Sequence, residues 1–217
     1  MVKAVLFDLD GTLADTAPDL CYAINVMRAA RHLAPVALEK TRPVTSSGAR
    51  GLLAAGFGMT PEHPDYEAMR REFLDIYEQN VCRETRLFDG MAELLEALDQ
   101  RGLRWGVVTN KAERFTLPLI KGLGLTARAA CIVGGDSTPH LKPHPASLLL
   151  ASQRIALAPA ECLYVGDDER DMLAGRAAGM PVAAAVYGYL GHGKSPREWD
   201  ADLWIDEPRE ILDFLSR

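Results

Sequence analysis

The sequence predicts an α/β fold: a doubly wound parallel sheet with a small all-helical cap inserted after its first strand. Three observations point there. Short, uninterrupted apolar runs recur along the chain, segments of helical spacing separate them, and one long stretch lacks any such run.

The runs are Ala4–Phe7, Trp105–Val108, Cys131–Val133, Cys162–Val165 and Val182–Val186, with Leu203–Ile205 as a sixth candidate. Continuous apolar strands suit a sheet covered on both faces. Met91–Arg101 carries Leu94, Leu95 and Leu98 on one helical face and stops at Gly102. Further helices are expected over Glu113–Gly122, Pro145–Ile155 and Glu169–Ala178. Strand and helix therefore alternate from about residue 86 onward, the pattern of a doubly wound sheet. Between Ala17 and Thr85 only helices are expected, at Asp19–Arg31, Ala49–Ala55 and Pro64–Asn80. The expected division is a core of residues 1–16 and 86–217 with a cap of residues 17–85 over the carboxyl edge of the sheet.

The composition is that of a globular protein: 48% hydrophobic, 25% charged, net charge −6. That charge argues against nucleic acid or an anionic membrane as partner. No run reaches membrane-spanning length, and the N-terminus meets Asp8 too soon for a signal peptide. Cys21, Cys82, Cys131 and Cys162 lack metal or redox spacing and read as reduced thiols, so a cytoplasmic location is expected. Oligomeric state, monomer or homodimer, is left open.

In open α/β sheets ligands bind beyond the carboxyl ends of the strands. There stand Asp8-Leu9-Asp10-Gly11-Thr12, Thr109-Asn110-Lys111, Lys142-Pro143 and Gly166-Asp167-Asp168-Glu169-Arg170-Asp171. Several carboxylates in one crevice must share a cation or a proton. Oxygen-only ligands favour Mg²⁺ over zinc. Lys142 and Thr109 suit a phosphoryl group. Asp8 and Asp10, two apart on an extended chain, can address one ligand, and one raised pKa is expected of so close a pair. Gly11 permits the turn that follows, and Thr12 can tie that turn down.

These four segments, in this order, resemble the motifs of the haloacid dehalogenase superfamily, whose core is a Rossmann-like sheet. The resemblance implies a phosphatase acting on a small phosphorylated metabolite. It makes Asp8 the nucleophile and Asp10 the general acid/base. Asp8, Asp167 and the Asp10 carbonyl would ligate Mg²⁺, with Asp171 behind them. Thr109, Asn110 and Lys142 would bind the phosphoryl oxygens. Within the superfamily the chain looks most like phosphoglycolate phosphatases, and Ser46-Ser47-Gly48-Ala49-Arg50, Trp105–Lys111 and Tyr187-Gly188-Tyr189 look like the bacterial N-acetylmuramic acid 6-phosphate phosphatases. Either 2-phosphoglycolate or N-acetylmuramate 6-phosphate is then the expected substrate. A phosphoglucomutase-like transfer is the alternative on the same fold. A receiver-type signalling module also uses a phospho-accepting aspartate, but would have half this length and no cap.

Other residues read two ways. Lys111 either reaches a substrate's distal groups or caps the next helix. Arg50, at a helix start beside Ser46 and Ser47, is expected to meet an anionic or sugar substrate. Asp168 either touches the metal through water or faces solvent, and solvent is favoured. The string from Gly188 to Ser195 spells a nucleotide-binding loop, but Pro196 and the next strand leave no room for its helix. His32, His63, His140, His144 and His192 read as surface or capping residues.

Overall fold

The computed structural model describes residues 1–191 and 193–216. The chain opens with β1 (Ala4–Phe7) and β2 (Ala14–Asp15), then runs through α1 (Ala17–Ala29), α2 (Leu38–Thr41), α3 (Gly48–Phe57) and α4 (Tyr66–Glu78). It continues with β3 (Arg86–Leu87), α5 (Met91–Gln100), β4 (Arg104–Val108), α6 (Glu113–Gly122), β5 (Ile132–Val133) and α7 (Ala146–Arg154). Last come β6 (Cys162–Gly166), α8 (Glu169–Ala178), β7 (Val182–Ala185), β8 (Leu203–Ile205) and α9 (Glu210–Leu215).

Six strands form one parallel sheet in the order β5-β4-β1-β6-β7-β8. β1 is central, paired with β4 on one side and β6 on the other, in a register that aligns Phe7 with Val107 and Val165. The direction of winding reverses at β1, so a crevice opens where the loops after β1, β4 and β6 part.

Burial follows the pleat. Val5, Phe7, Trp105, Val107, Leu163 and Val165 face one layer, where α5 contributes Leu94, Leu95 and Leu98 and α6 contributes Phe115, Leu119 and Ile120. Ala4, Leu6, Val108, Cys162 and Tyr164 face the other, against Leu148 of α7 and Met172 and Ala174 of α8. With both faces covered, each strand buries every second residue on each side, which is why the runs read as continuously apolar.

The segment between β2 and β3 is helical throughout its regular elements, among the described residues. Ile24 and Met27 of α1, Leu52 and Leu53 of α3, and Met69, Phe73 and Tyr77 of α4 are buried together, in contact with the α6 side of the sheet. No apolar run signals β2 and β3, an antiparallel pair of two-residue strands joining Ala14 to Leu87 and Asp15 to Arg86. This ribbon holds together the two chain crossings that frame the helices. Asp19, fully buried, accepts from the backbone N–H groups of Arg83, Glu84 and Thr85 and from the Thr85 hydroxyl, fixing the return crossing to α1. The Tyr189 hydroxyl accepts from the N–H groups of Thr16 and Ala17 on the outgoing one.

The nucleotide-loop string is followed by a single 3-10 turn at Pro196–Glu198 before β8, and Lys194 pairs with Glu169 at 3.0 Å, so among the described residues no cradle-opening helix follows. His63 and His144 accept the N–H groups of Asp65 and Ala146 at helix starts, as capping residues do. His192 lies outside the described residues.

Candidate active site

A cavity of about 440 Å³ lies over the carboxyl ends of β1, β4 and β6 and under the helices of residues 17–78. Asp8, Asp10, Thr109, Asn110, Lys111, Lys142 and Asp171 line it from the sheet, and Ser46, Arg50, Arg70, Phe73 and Tyr77 from the helices. Asp167 stands beside them, fully buried.

Lys142 is the hub. Its ammonium lies 2.9 Å from Asp8 Oδ1 and 2.7 Å from Asp171 Oδ1, and donates to the Tyr164 hydroxyl at 2.7 Å. Burial alone would favour the neutral amine, but Asp171 and Asp8 outweigh it and hold the pKa above that of an ordinary lysine. Asn110 fixes the lysine's backbone, donating from Nδ2 to the Lys142 carbonyl and accepting from its N–H. The Thr109 side chain is buried, and its Oγ1 accepts from the Lys111 N–H.

Burial is also the largest influence on Asp8. It pushes the carboxyl up to about 6 against the pull of Lys142, with Asp171 and Asp10 adding to the rise. A raised pKa is expected of the pair because it suits a proton donor; the rise falls on Asp8, the expected nucleophile, because it is buried. Lys142 lies 2.9 Å from the buried Asp8 Oδ1, but one ammonium shared with Asp171 does not balance the carboxylates gathered here, which together call for a further cation.

Asp8, Asp167 and Asp171 supply the partners. Each offers a carboxylate oxygen, and the three atoms lie within 4.8 Å of one another, a cluster able to coordinate a divalent metal. Burial raises the pKa of Asp167 well above the carboxylate range, and the neighbouring charges of Asp8 and Asp171 raise it further. A bound cation would remove that repulsion. Thr12 donates to Asp167 Oδ1 at 2.9 Å and the Tyr189 N–H to Oδ2 at 2.9 Å. Thr12 therefore orients an acid 155 residues away, rather than only bracing its own turn. The glycines leave room: a Cβ on Gly11, whose φ is +87°, would sit 2.1 Å from Asp167 Oδ2, and one on Gly166 would sit 2.4 Å from the Asp171 carboxylate.

Asp10 also lines the cavity. Its Oδ1 accepts from the Thr16 hydroxyl and, at 2.7 Å, from the Lys111 ammonium. The capping alternative for Lys111 is not what the structure shows, since α6 starts from Ala112 without a side-chain cap. Asp168 does not simply face solvent. It caps α8 by accepting the Arg170 N–H, and its carboxylate pairs with the Arg170 guanidinium at 2.8 Å, which outweighs partial burial and lowers its pKa.

Thr16, Tyr164 and Tyr189 were not singled out in the sequence as site residues. Thr16 had a usable signal, a hydroxyl six residues beyond Asp10 at the start of a helix. Tyr164 has none, because its partner Lys142 is distant in sequence, and Tyr189 stands in the Tyr187-Gly188-Tyr189 segment, whose resemblance does not indicate its contact with Asp167. Among the described residues no helix is long and apolar enough to cross a membrane.

Known proteins with this arrangement are numerous. The family described as haloacid dehalogenase-like hydrolase matches residues 5–185. An N-acetylmuramic acid 6-phosphate phosphatase from Pseudomonas aeruginosa is 45% identical over 216 residues, covering 100% of this chain and 96% of its own. A phosphoglycolate phosphatase from Xanthomonas campestris pv. campestris is 45% identical over 212 residues, covering 96% and 94%. The crystal structure of a predicted phosphoglycolate phosphatase from Haemophilus somnus 129PT superposes with a TM-score of 0.85 at 29% identity, covering 99% of this chain and 98% of that one. The chain belongs to the haloacid dehalogenase-like hydrolases, and within them it is a phosphatase.

Proposed function

We propose that this phosphatase hydrolyses a small phosphate monoester through a phosphorylated Asp8, with Mg²⁺ as its cofactor. The observation that carries the reading is the buried Asp8 carboxylate, 2.9 Å from the Lys142 ammonium and clustered with Asp167 and Asp171 so that one oxygen of each lies within 4.8 Å of the others.

Asp8, Asp167 and the Asp10 carbonyl would hold the ion, with Asp171 supporting from behind. The all-oxygen donor set favours Mg²⁺. When bound, the ion neutralises charge on the carboxylates and on the phosphoryl oxygens. Lys142 and Thr109 bind those oxygens, together with the Asn110 backbone. Asp8 attacks phosphorus while Asp10 protonates the departing ester oxygen. Asp10 then takes a proton from the water that hydrolyses the aspartyl phosphate. Residues 17–85 act as a cap over a core of residues 1–16 and 86–217, and exclude bulk water from the cavity.

For the substrate we favour N-acetylmuramate 6-phosphate, as the name of one 45%-identical relative suggests. Two features support an acid larger than phosphoglycolate. The cavity, about 440 Å³, falls in the range that holds drug-sized ligands. Of its four arginines, Arg70, Arg114 and Arg170 stand within 4.0 Å of a carboxylate, whereas Arg50 does not, among the described residues. A guanidinium on the cap wall that makes no close ion pair suits a carboxylate remote from the phosphate. 2-Phosphoglycolate is the second reading, on the equally similar Xanthomonas relative. The four free thiols, three of them buried, are consistent with a cytoplasmic location.

A Mg²⁺-supplemented screen for released phosphate decides among these. It would cover N-acetylmuramate 6-phosphate, 2-phosphoglycolate and hexose phosphates. Highest kcat/KM on the first supports the preferred substrate. Isomerised sugar phosphate without release would instead establish a mutase.

A further inference from the structure

The proposed mechanism leaves one charged group at the reaction centre without a task. Lys111 lines the cavity, yet its side chain is only 9% exposed and its ammonium lies 2.7 Å from Asp10 Oδ1. A lysine set to receive a distal substrate anion would present an uncompensated charge to solvent. This one is already engaged by the Asp10 carboxyl and is not free to meet such an anion.

The residue is fixed from every side. Its N–H donates to Thr109 Oγ1, and its carbonyl accepts from the Gly135 N–H and the Thr116 hydroxyl. The ammonium sits 4.9 Å from the centroid of the Tyr77 ring, an attraction between cation and aromatic face. Tyr77 belongs to α4 and is itself held by Phe73, stacked at 6.4 Å, and Phe115, tilted at 5.5 Å. Its hydroxyl is buried, and burial pushes its pKa up to about 12 against the pull of Lys111. Lys111 is thus gripped between an acid of the sheet and an aromatic ring of the helical segment.

The grip orients Asp10. Both donors to this carboxyl, the Thr16 hydroxyl and Lys111, address Oδ1. Oδ2 receives no hydrogen bond among the described residues and is the oxygen left for the reaction. We infer that Lys111, clamped by the Tyr77 ring, is a positioning residue that anchors Asp10 Oδ1 so that Oδ2 delivers the proton to the leaving group.

This rests on the proposed role of Asp10 as general acid. In that step a bond forms between an Asp8 oxygen and phosphorus. The bond from phosphorus to the ester oxygen breaks, its electron pair stays on that oxygen, and the proton of Asp10 Oδ2 is transferred to it. Anchoring is worth most when the leaving group is a strong base and needs the proton early, and least for p-nitrophenolate, which leaves readily without one.

The test is kcat/KM across aryl phosphates of graded leaving-group basicity, from p-nitrophenyl to phenyl phosphate, none bearing a carboxylate. Asp10→Asn sets the reference. Lys111→Met should lose about 10–100-fold more on phenyl than on p-nitrophenyl phosphate, in the same direction as Asp10→Asn. Lys111→Arg should recover part of that difference, and Tyr77→Leu should reproduce part of it. Lys111→Gln enters the same comparison if the Met variant does not fold. Equal losses across the series for the Lys111 variants, with Asp10→Asn retaining its gradient, would overturn the positioning role alone. A uniform loss in Asp10→Asn would remove the general-acid assignment and this inference with it.

Discussion

The Thr12 hydroxyl donates to Asp167 Oδ1 at 2.9 Å, tying the turn after the first strand to an acid at the end of the fourth helix-flanked strand of the sheet. The bond is fully buried and fixes the direction of one candidate metal ligand. Thr12→Val keeps the shape and removes the donor. Partners that orient a ligand typically contribute about 10–100-fold in metal affinity. We therefore expect the Mg²⁺ concentration for half-maximal activity to rise by about tenfold or more, with little change in circular dichroism. An unchanged Mg²⁺ dependence would detach Thr12 from the metal site.

Asp19 predicts a stability effect away from the chemistry. It accepts four hydrogen bonds from residues 83–85 while fully buried. Asp19→Ala strands three backbone N–H groups and a hydroxyl, and should cost about 2–4 kcal/mol in urea unfolding. A loss below about 0.5 kcal/mol would mean that the return crossing is held by other contacts.

Arg50 tests substrate recognition. Arg50→Ala should raise KM for N-acetylmuramate 6-phosphate by about tenfold or more, the usual size of a lost charged hydrogen bond. It should affect p-nitrophenyl phosphate far less. Equal effects on both would remove Arg50 from recognition of the leaving group.

The raised carboxyl of Asp8 gives a pH signature. Its folded pKa, about 6, lies above the ordinary 3.8, mainly through burial. The folded state therefore binds the proton more tightly than the unfolded chain. This group favours the metal-free fold at acid pH, and that contribution is lost as pH rises from about 4 through 6. Mg²⁺ needs the anion, so its stabilisation should run the other way. Thermal unfolding with and without Mg²⁺ should show a larger shift near pH 7.5 than near pH 5. The reverse order would contradict ligation by Asp8.

Much of this was legible in the sequence because the core obeys local rules. The apolar runs Ala4–Phe7 and Leu203–Ile205 coincide with β1 and β8, and for β1 the reason is burial on both faces, which leaves a bare apolar run between polar ends. Glu113–Gly122 and Glu169–Ala178 were equally plain from helical spacing. The site motifs were legible because they stand at strand ends. What escaped is pairwise and long-range. Two-residue strands such as Ala14–Asp15 have no periodicity to read. Asp19 looks like any acid in a first helical turn until residues 83–85 are folded against it. Lys111 showed two plausible tasks in sequence, and only its 2.7 Å approach to Asp10 indicates a third.

The central claim is that phosphate passes through Asp8. The most direct measurement is chemical trapping: quench a turnover mixture, reduce acyl phosphates with borohydride, and locate the product by peptide mass spectrometry. The account predicts homoserine at position 8, absent without substrate. Steady turnover with an unmodified aspartate there, or with the label on Asp10 or Asp167, would contradict it.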